Sequence, residues 1–95
     1  MQDSSIDVII NARADRYGQF RDMATLTQTL KSAVYMHCRT HEKRMAADQI
    51  EALDMIMHKV ARICNGDPDY VDSWVDIAGY ATLVADRLNK DENEN

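Results

Sequence analysis

Chain breakers and aromatic residues are scarce in this sequence: of 95 residues, one is Pro, three are Gly, one is Phe and one is Trp. So little Pro and Gly excludes a fibrous or low-complexity chain, and with six Met and many Ala, Leu and Asp it points to helices. Cysteine is equally sparse. Cys38 and Cys64 lack metal-ligand spacing, and two such residues in helix-like segments read as reduced thiols of a cytoplasmic protein rather than a disulfide. No apolar run approaches the ~20 residues that a membrane helix requires, and the N-terminal residues do not read as a signal, so no membrane partner is expected. Basic excess is absent too. Sixteen acidic residues against eleven basic give a net charge of -5, which argues against general nucleic-acid binding.

What is present is a balance of 45% hydrophobic and 28% charged residues, that of a folded domain. A chain this short buries one core, so residues 1–95 are expected to form a single helical domain, with an acidic tail at about 89–95 (Asp91, Glu92, Glu94) frayed into solvent.

Apolar residues at helical spacing mark four segments. The first runs from about Asp3 to Tyr17, with Asp3, Ser4 and Ser5 as candidate caps and Ile6, Ile9 and Ile10 on one face; Gly18 stops it. The second runs from about Gln19 to His37 and is followed by a polar, basic stretch, Arg39–Arg44, that reads as a loop. The third, about Ala46 to Asn65, places Ile50, Leu53, Met57, Val60 and Cys64 on one stripe, and Asn65-Gly66 before Pro68 reads as a left-handed C-cap and stop. The fourth, about Tyr70 to Leu88, places Trp74, Ile77, Ala81, Val84 and Leu88 on its inner stripe. The short connection Gly66–Asp69 predicts an antiparallel hairpin of helices three and four. Leu53, Met57, Val60, Trp74, Ile77, Ala81 and Val84 are the expected core. No stretch alternates with period two for long enough to be a strand.

Two polar stripes carry the candidate chemistry. Glu51, Asp54, His58 and Arg62 share one face of helix three, and Asp72, Asp76 and Tyr80 share one face of helix four. If the hairpin brings these stripes together, four carboxylates converge, and oxygen clusters of that kind hold Mg²⁺. The competing reading is two solvated faces, with His58 merely paired to Asp54 one turn away. Lys59 and Arg62 are placed to receive phosphates, or else only complement the negative end of their helix. Trp74 and Tyr80 read as base-stacking groups or, more commonly for aromatics at helical spacing, as core. Arg13 and Arg16 ahead of Tyr17-Gly18 form either an ordinary helix end or an anion site. His37 and His41 flank Cys38 in sequence only, which makes no nucleophilic dyad.

The run from Glu51 to Ile63, the connection Asn65-Gly66-Asp67-Pro68-Asp69-Tyr70, the segment Asp72 to Tyr80 and the N-terminal Arg16-Tyr17-Gly18-Gln19-Phe20 together resemble a small phage and prophage family of unknown function, over about residues 7–88. That family is similar, more distantly, to the MazG-like all-α NTP pyrophosphohydrolases, whose four-helix bundles hold Mg²⁺ through Glu-x-x-Glu on one helix and Glu-x-x-Asp on the next. Glu51 and Asp54 match the first pair and Asp76 the final Asp; Ser73 departs from the pattern, with Asp72 beside it as substitute.

The resemblance implies an all-α, four-helix, MazG-like bundle that binds a nucleotide through Mg²⁺ and cleaves it to the monophosphate and pyrophosphate. Metal ligands would be Glu51, Asp54, Asp72 and Asp76, catalytic groups Glu51, Asp54 and Asp76, and ligand contacts Lys59, Arg62 and Tyr80. Two alternatives stand beside it: a non-enzymatic phage protein in the bacterial cytoplasm that sequesters a nucleotide or engages a host protein, and a structural role. Self-association into a dimer or tetramer is expected, because the Ile-rich first helix and Val71 and Val75 want cover that so small a chain does not supply.

Overall fold

Four helices account for nearly all of residues 4–94, the part of the chain that the computed structural model describes. They are α1 (Ser4–Tyr17), α2 (Phe20–Thr40), α3 (Ala47–Asn65) and α4 (Val71–Glu94), and no strand occurs among the described residues. The all-helical reading holds. Asp3, read as a cap, lies outside the described residues.

Gly18 ends α1 as its sequence position predicts: its φ is +76°, a backbone region that costs Gly nothing, and its N–H donates to the Ala14 carbonyl at 2.8 Å. Helix α2 continues through Thr40, into the stretch read as loop, because nothing from Arg39 to Thr40 breaks a helix. Its turn is closed by Glu42, with φ +53°. At the start of α3, Gln49 Oε1 accepts from the Ala46 N–H at 2.8 Å, which is half of a capping box, since the Ala46 side chain has nothing to return. Helix α4 extends to Glu94, so most of the tail expected to fray is helical.

Asn65-Gly66 is not the left-handed cap that the sequence predicts. Gly66 has φ -132°, and its missing side chain serves proximity: a Cβ there would collide with the Arg16 carbonyl and the Tyr17 backbone. Asn65 Nδ2 donates to the Tyr17 and Gln19 carbonyls at 3.0 and 3.1 Å, and the Asp67 N–H donates to the Arg16 carbonyl. The end of α3 is therefore latched to the α1–α2 turn by backbone contact.

Helix α3 lies at the centre, flanked by α2 and α4, which do not pack on each other among the described residues. Asp54 on α3 reaches Tyr35 of α2, whereas Asp48 and Lys59 reach Arg87 and Asp76 of α4. Asp54 and Lys59 are about 140° apart around α3; on the other side, between the buried Ile63 and Met57, a strip of about 120° is left open. That strip carries Leu53, Ile56, Val60 and Cys64. The expected core needs correcting accordingly. Met57 is buried and Val60, Ile77 and Val84 are half-buried, but Leu53, Ala81 and Trp74 are exposed, Trp74 by 54%. Burial falls instead on Met23, Ala52, Met57, Ala61 and Ile63, where α2 and α4 press against the sides of α3. A single layer of helices buries its edges and leaves a face open.

Candidate functional site

The polar stripe of α3 turns toward α2. Asp54 accepts a short hydrogen bond from the Tyr35 hydroxyl, an interaction that pushes the Tyr35 pKa up because the carboxylate favours the protonated phenol. One turn further, His58 lies in the field of Lys31 of α2 and of Lys59 and Arg62 of its own helix. Partial burial first, and these three cations second, hold His58 below its ordinary pKa, so the ring is neutral near pH 7. The face thus runs from carboxylates at Glu51 and Asp54 to cations around His58 and Arg62.

The stripe of α4 does not meet it. Asp48 faces Arg87, with contacts of 2.9 and 2.6 Å, and Lys59 faces Asp76 at 2.9 Å; both pairs share one antiparallel register. In that register Asp54 lies about five residues, or ~7.5 Å along the axis, from the position facing Asp76, and further still from Asp72. Asp76 is held by Lys59, whose side chain is only 11% exposed, and Asp72 accepts from the Tyr70 hydroxyl at 3.0 Å. Among the described residues no three His, Cys, Asp or Glu side chains gather in a way that would hold a metal. Glu51, Asp54, Asp72 and Asp76 are therefore not brought together into one cluster. The expected convergence fails for two physical reasons: the register offsets the carboxylates, and a lysine fills the place of the cation.

The expected ligand contacts are dispersed too. Lys59 is committed to Asp76, and Tyr80 lines a groove with Glu51, Asp48 and Arg87 on the α4 side. Arg62 alone stands at a cavity. This cavity of about 300 Å³ lies where the α1–α2 turn crosses the end of α3, lined by Ile10, Arg13, Tyr17, Phe20, Met23 and Arg62 among others. The Arg62 guanidinium stacks over the Tyr17 ring, 4.2 Å from its centroid, and its buried Nε has no hydrogen-bond partner. Arg16, which the sequence pairs with Arg13, turns away to lie over Tyr70, 4.8 Å from the ring centroid. The two arginines at the cavity are thus Arg13 and Arg62, from different helices. Sequence reasoning missed Phe20 and Met23 as lining residues; the aromatics on both sides of Gly18-Gln19 were the available signal.

With this geometry in view, the chain belongs to the family described as "Domain of unknown function (DUF6378)", whose model matches residues 3–88. No curated protein and no solved structure matches it. No helix among the described residues is long and apolar enough to cross a membrane.

Proposed function

We propose that this domain is a binding module for a small anionic ligand with a flat ring, of the nucleotide class, seated in the cavity between the α1–α2 turn and the end of α3. One observation carries the reading: the Arg62 Nε is buried without a partner at a cavity that also presents Arg13, Tyr17 and Phe20. A buried donor left unpaired costs about 1–3 kcal/mol, more when charged, and a shift of the Arg62 side chain toward an entering phosphate or carboxylate oxygen would relieve that cost. Arginine suits the task because its planar fork pairs with two oxygens of one anion. Tyr17 and Phe20 offer faces to a ring, and the volume falls at the small end of ordinary ligand sites.

In this reading the ligand is held by cations and needs no Mg²⁺, so the domain sequesters or senses its ligand rather than hydrolysing it. The setting is the bacterial cytoplasm, as the resemblance to phage proteins implies, and both cysteines are free thiols. The MazG-like pyrophosphohydrolase reading rests on the pairing of Glu51 with Asp54 one turn apart and would require further carboxylates from a second chain. A panel of nucleoside mono-, di- and triphosphates, scored by thermal shift and product analysis in Mg²⁺ and in EDTA, separates the two. Stabilisation that persists in EDTA, without turnover, is expected. Mg²⁺-dependent release of pyrophosphate would replace this proposal with the enzyme.

A further inference from the structure

Arg13 of α1 and Arg62 of α3 line the cavity, and a third arginine close to them, Arg16, does not. Residues three apart on a helix share one side, so Arg16 starts from the same side of α1 as Arg13. Its side chain is taken up instead by Tyr70, in the connection between α3 and α4. The Arg16 guanidinium lies over the Tyr70 ring, 4.8 Å from the centroid, and its Nη1 donates to the Tyr70 hydroxyl at 3.3 Å.

Tyr70 is itself held in place. Its hydroxyl donates to Asp72 Oδ2 at 3.0 Å, and its ring meets that of Tyr17 edge to face, with centroids 6.0 Å apart. The hydrogen bond to the Asp72 carboxylate raises the Tyr70 pKa and keeps the phenol protonated. The connection also docks on α1 through its backbone, where the Asp67 N–H donates to the Arg16 carbonyl. A chain of contacts therefore runs from Arg62 to Tyr17, from Tyr17 to Tyr70 and from Tyr70 to Arg16. The cation at the cavity and the cation held outside it sit at opposite ends of that chain. Arg16 is turned toward a segment that carries three carboxylates, Asp67, Asp69 and Asp72.

Two guanidiniums are then left to meet a ligand. A phosphate monoester carries about -1.5 to -2 charges at neutral pH, which two guanidiniums match. Each further phosphoryl group adds negative charge that finds Arg16 already engaged and the carboxylates of the connection opposed to it. We propose that the cavity selects a ligand with a single phosphate, a nucleoside monophosphate over its di- and triphosphate, and that Tyr70 is a positioning residue that sets this choice by withholding Arg16. The inference rests on the ligand reading above and names the member of the nucleotide class that is bound.

The test is calorimetry in EDTA, so that no divalent cation masks phosphate charge. The probes are the mono-, di- and triphosphates of adenosine, guanosine, cytidine and uridine. The whole chain is compared as wild type, Arg62→Gln, Arg16→Gln, Tyr70→Ala and the double variant Arg16→Gln with Tyr70→Ala. In the wild type the best-bound monophosphate should bind about tenfold more tightly than its own triphosphate, the order expected for one unbalanced charge about 10 Å from a carboxylate. Arg16→Gln should leave that ratio and the monophosphate affinity unchanged. Tyr70→Ala frees Arg16 and should lower the ratio severalfold, and adding Arg16→Gln should restore it, which lost packing at Tyr70 alone would not do. A triphosphate bound as tightly as the monophosphate by the wild type would overturn the inference. So would a ratio that Tyr70→Ala leaves unchanged, or one that the double variant does not restore. Where Tyr70→Ala fails to fold by circular dichroism, Arg16→Gln decides, because a clear loss of monophosphate affinity would place Arg16 at the ligand. Failure of the ligand reading itself looks different: no nucleotide binds, or binding is indifferent to Arg62→Gln.

Discussion

Replacing Asn65 with Ala removes the amide that ties the end of α3 to the α1–α2 turn, and its cost follows from two hydrogen bonds. Asn65 Nδ2 donates to the Tyr17 carbonyl at 3.0 Å, in a part-buried position, and to the Gln19 carbonyl at 3.1 Å, in an exposed one. A typical intramolecular hydrogen bond contributes about 1 kcal/mol net. Water replaces the donor at Gln19 and not as well at Tyr17, so the loss should be about 1–2 kcal/mol. With a urea m-value of about 1.5 kcal/mol/M, appropriate to so small a chain, the midpoint should fall by roughly 1 M. The assay is urea unfolding at one fixed chain concentration, because stability coupled to association depends on concentration. Amide hydrogen exchange adds the location: α1 and residues 18–20 should lose protection while α3 and α4 keep theirs. Gly66→Ala, whose Cβ would strike the Arg16 carbonyl, should cost more, about 3 kcal/mol. A change below about 0.5 kcal/mol for both variants would show that the latch does not hold the turn, and the cavity would lose its rigid floor.

Other consequences follow from the packing. Asp76→Asn strands the nearly buried Lys59 ammonium and should destabilise by about 1–2 kcal/mol, a fully buried pair's penalty discounted because Asp76 is half exposed, whereas Lys59→Met should be close to neutral; equal stability for Asp76→Asn and wild type would contradict the pairing. Because the His58 pKa is depressed in the fold, its contribution is intact above its unfolded value near 6.5 and is lost as pH falls below it, so His58→Gln should flatten the stability profile between about pH 6.5 and 5. A profile unchanged by that substitution would refute the assignment. Without nucleotide, millimolar Mg²⁺ should leave the melting temperature where it is, since no three carboxylates gather among the described residues; a rise abolished by Asp54→Asn would restore a metal site at α3.

The helices were legible because their signals are local: Gly18 stops α1, Pro68 bars continuation of α3, and the apolar spacing from Ile50 to Cys64 is helical. The relation between helices was not. Whether Asp54 or Lys59 faces Asp76 depends on a register of a few residues, which neither polar stripe encodes, and the actual register pairs Asp76 with a cation. Leu53 belongs to a true apolar stripe, yet periodicity says only that a face avoids water and leaves its cover unnamed. Arg13, Phe20 and Arg62 come together from three helices, so no local pattern could have announced the cavity. Asn65-Gly66 has the composition of a helix cap, and its role in pinning another segment emerges only from the close approach of Arg16 and Tyr17.

The most direct test of the ligand reading is equilibrium binding of nucleoside monophosphates by calorimetry in EDTA, with wild type, Arg62→Lys and Arg62→Gln compared at matched concentration. A hydrogen bond to a charged group is worth about 1.5–3 kcal/mol, so Arg62→Gln should weaken binding by about tenfold or more, with Arg62→Lys recovering part of the loss and circular dichroism unchanged. Binding that needs Mg²⁺, or that is indifferent to both substitutions, would contradict the account.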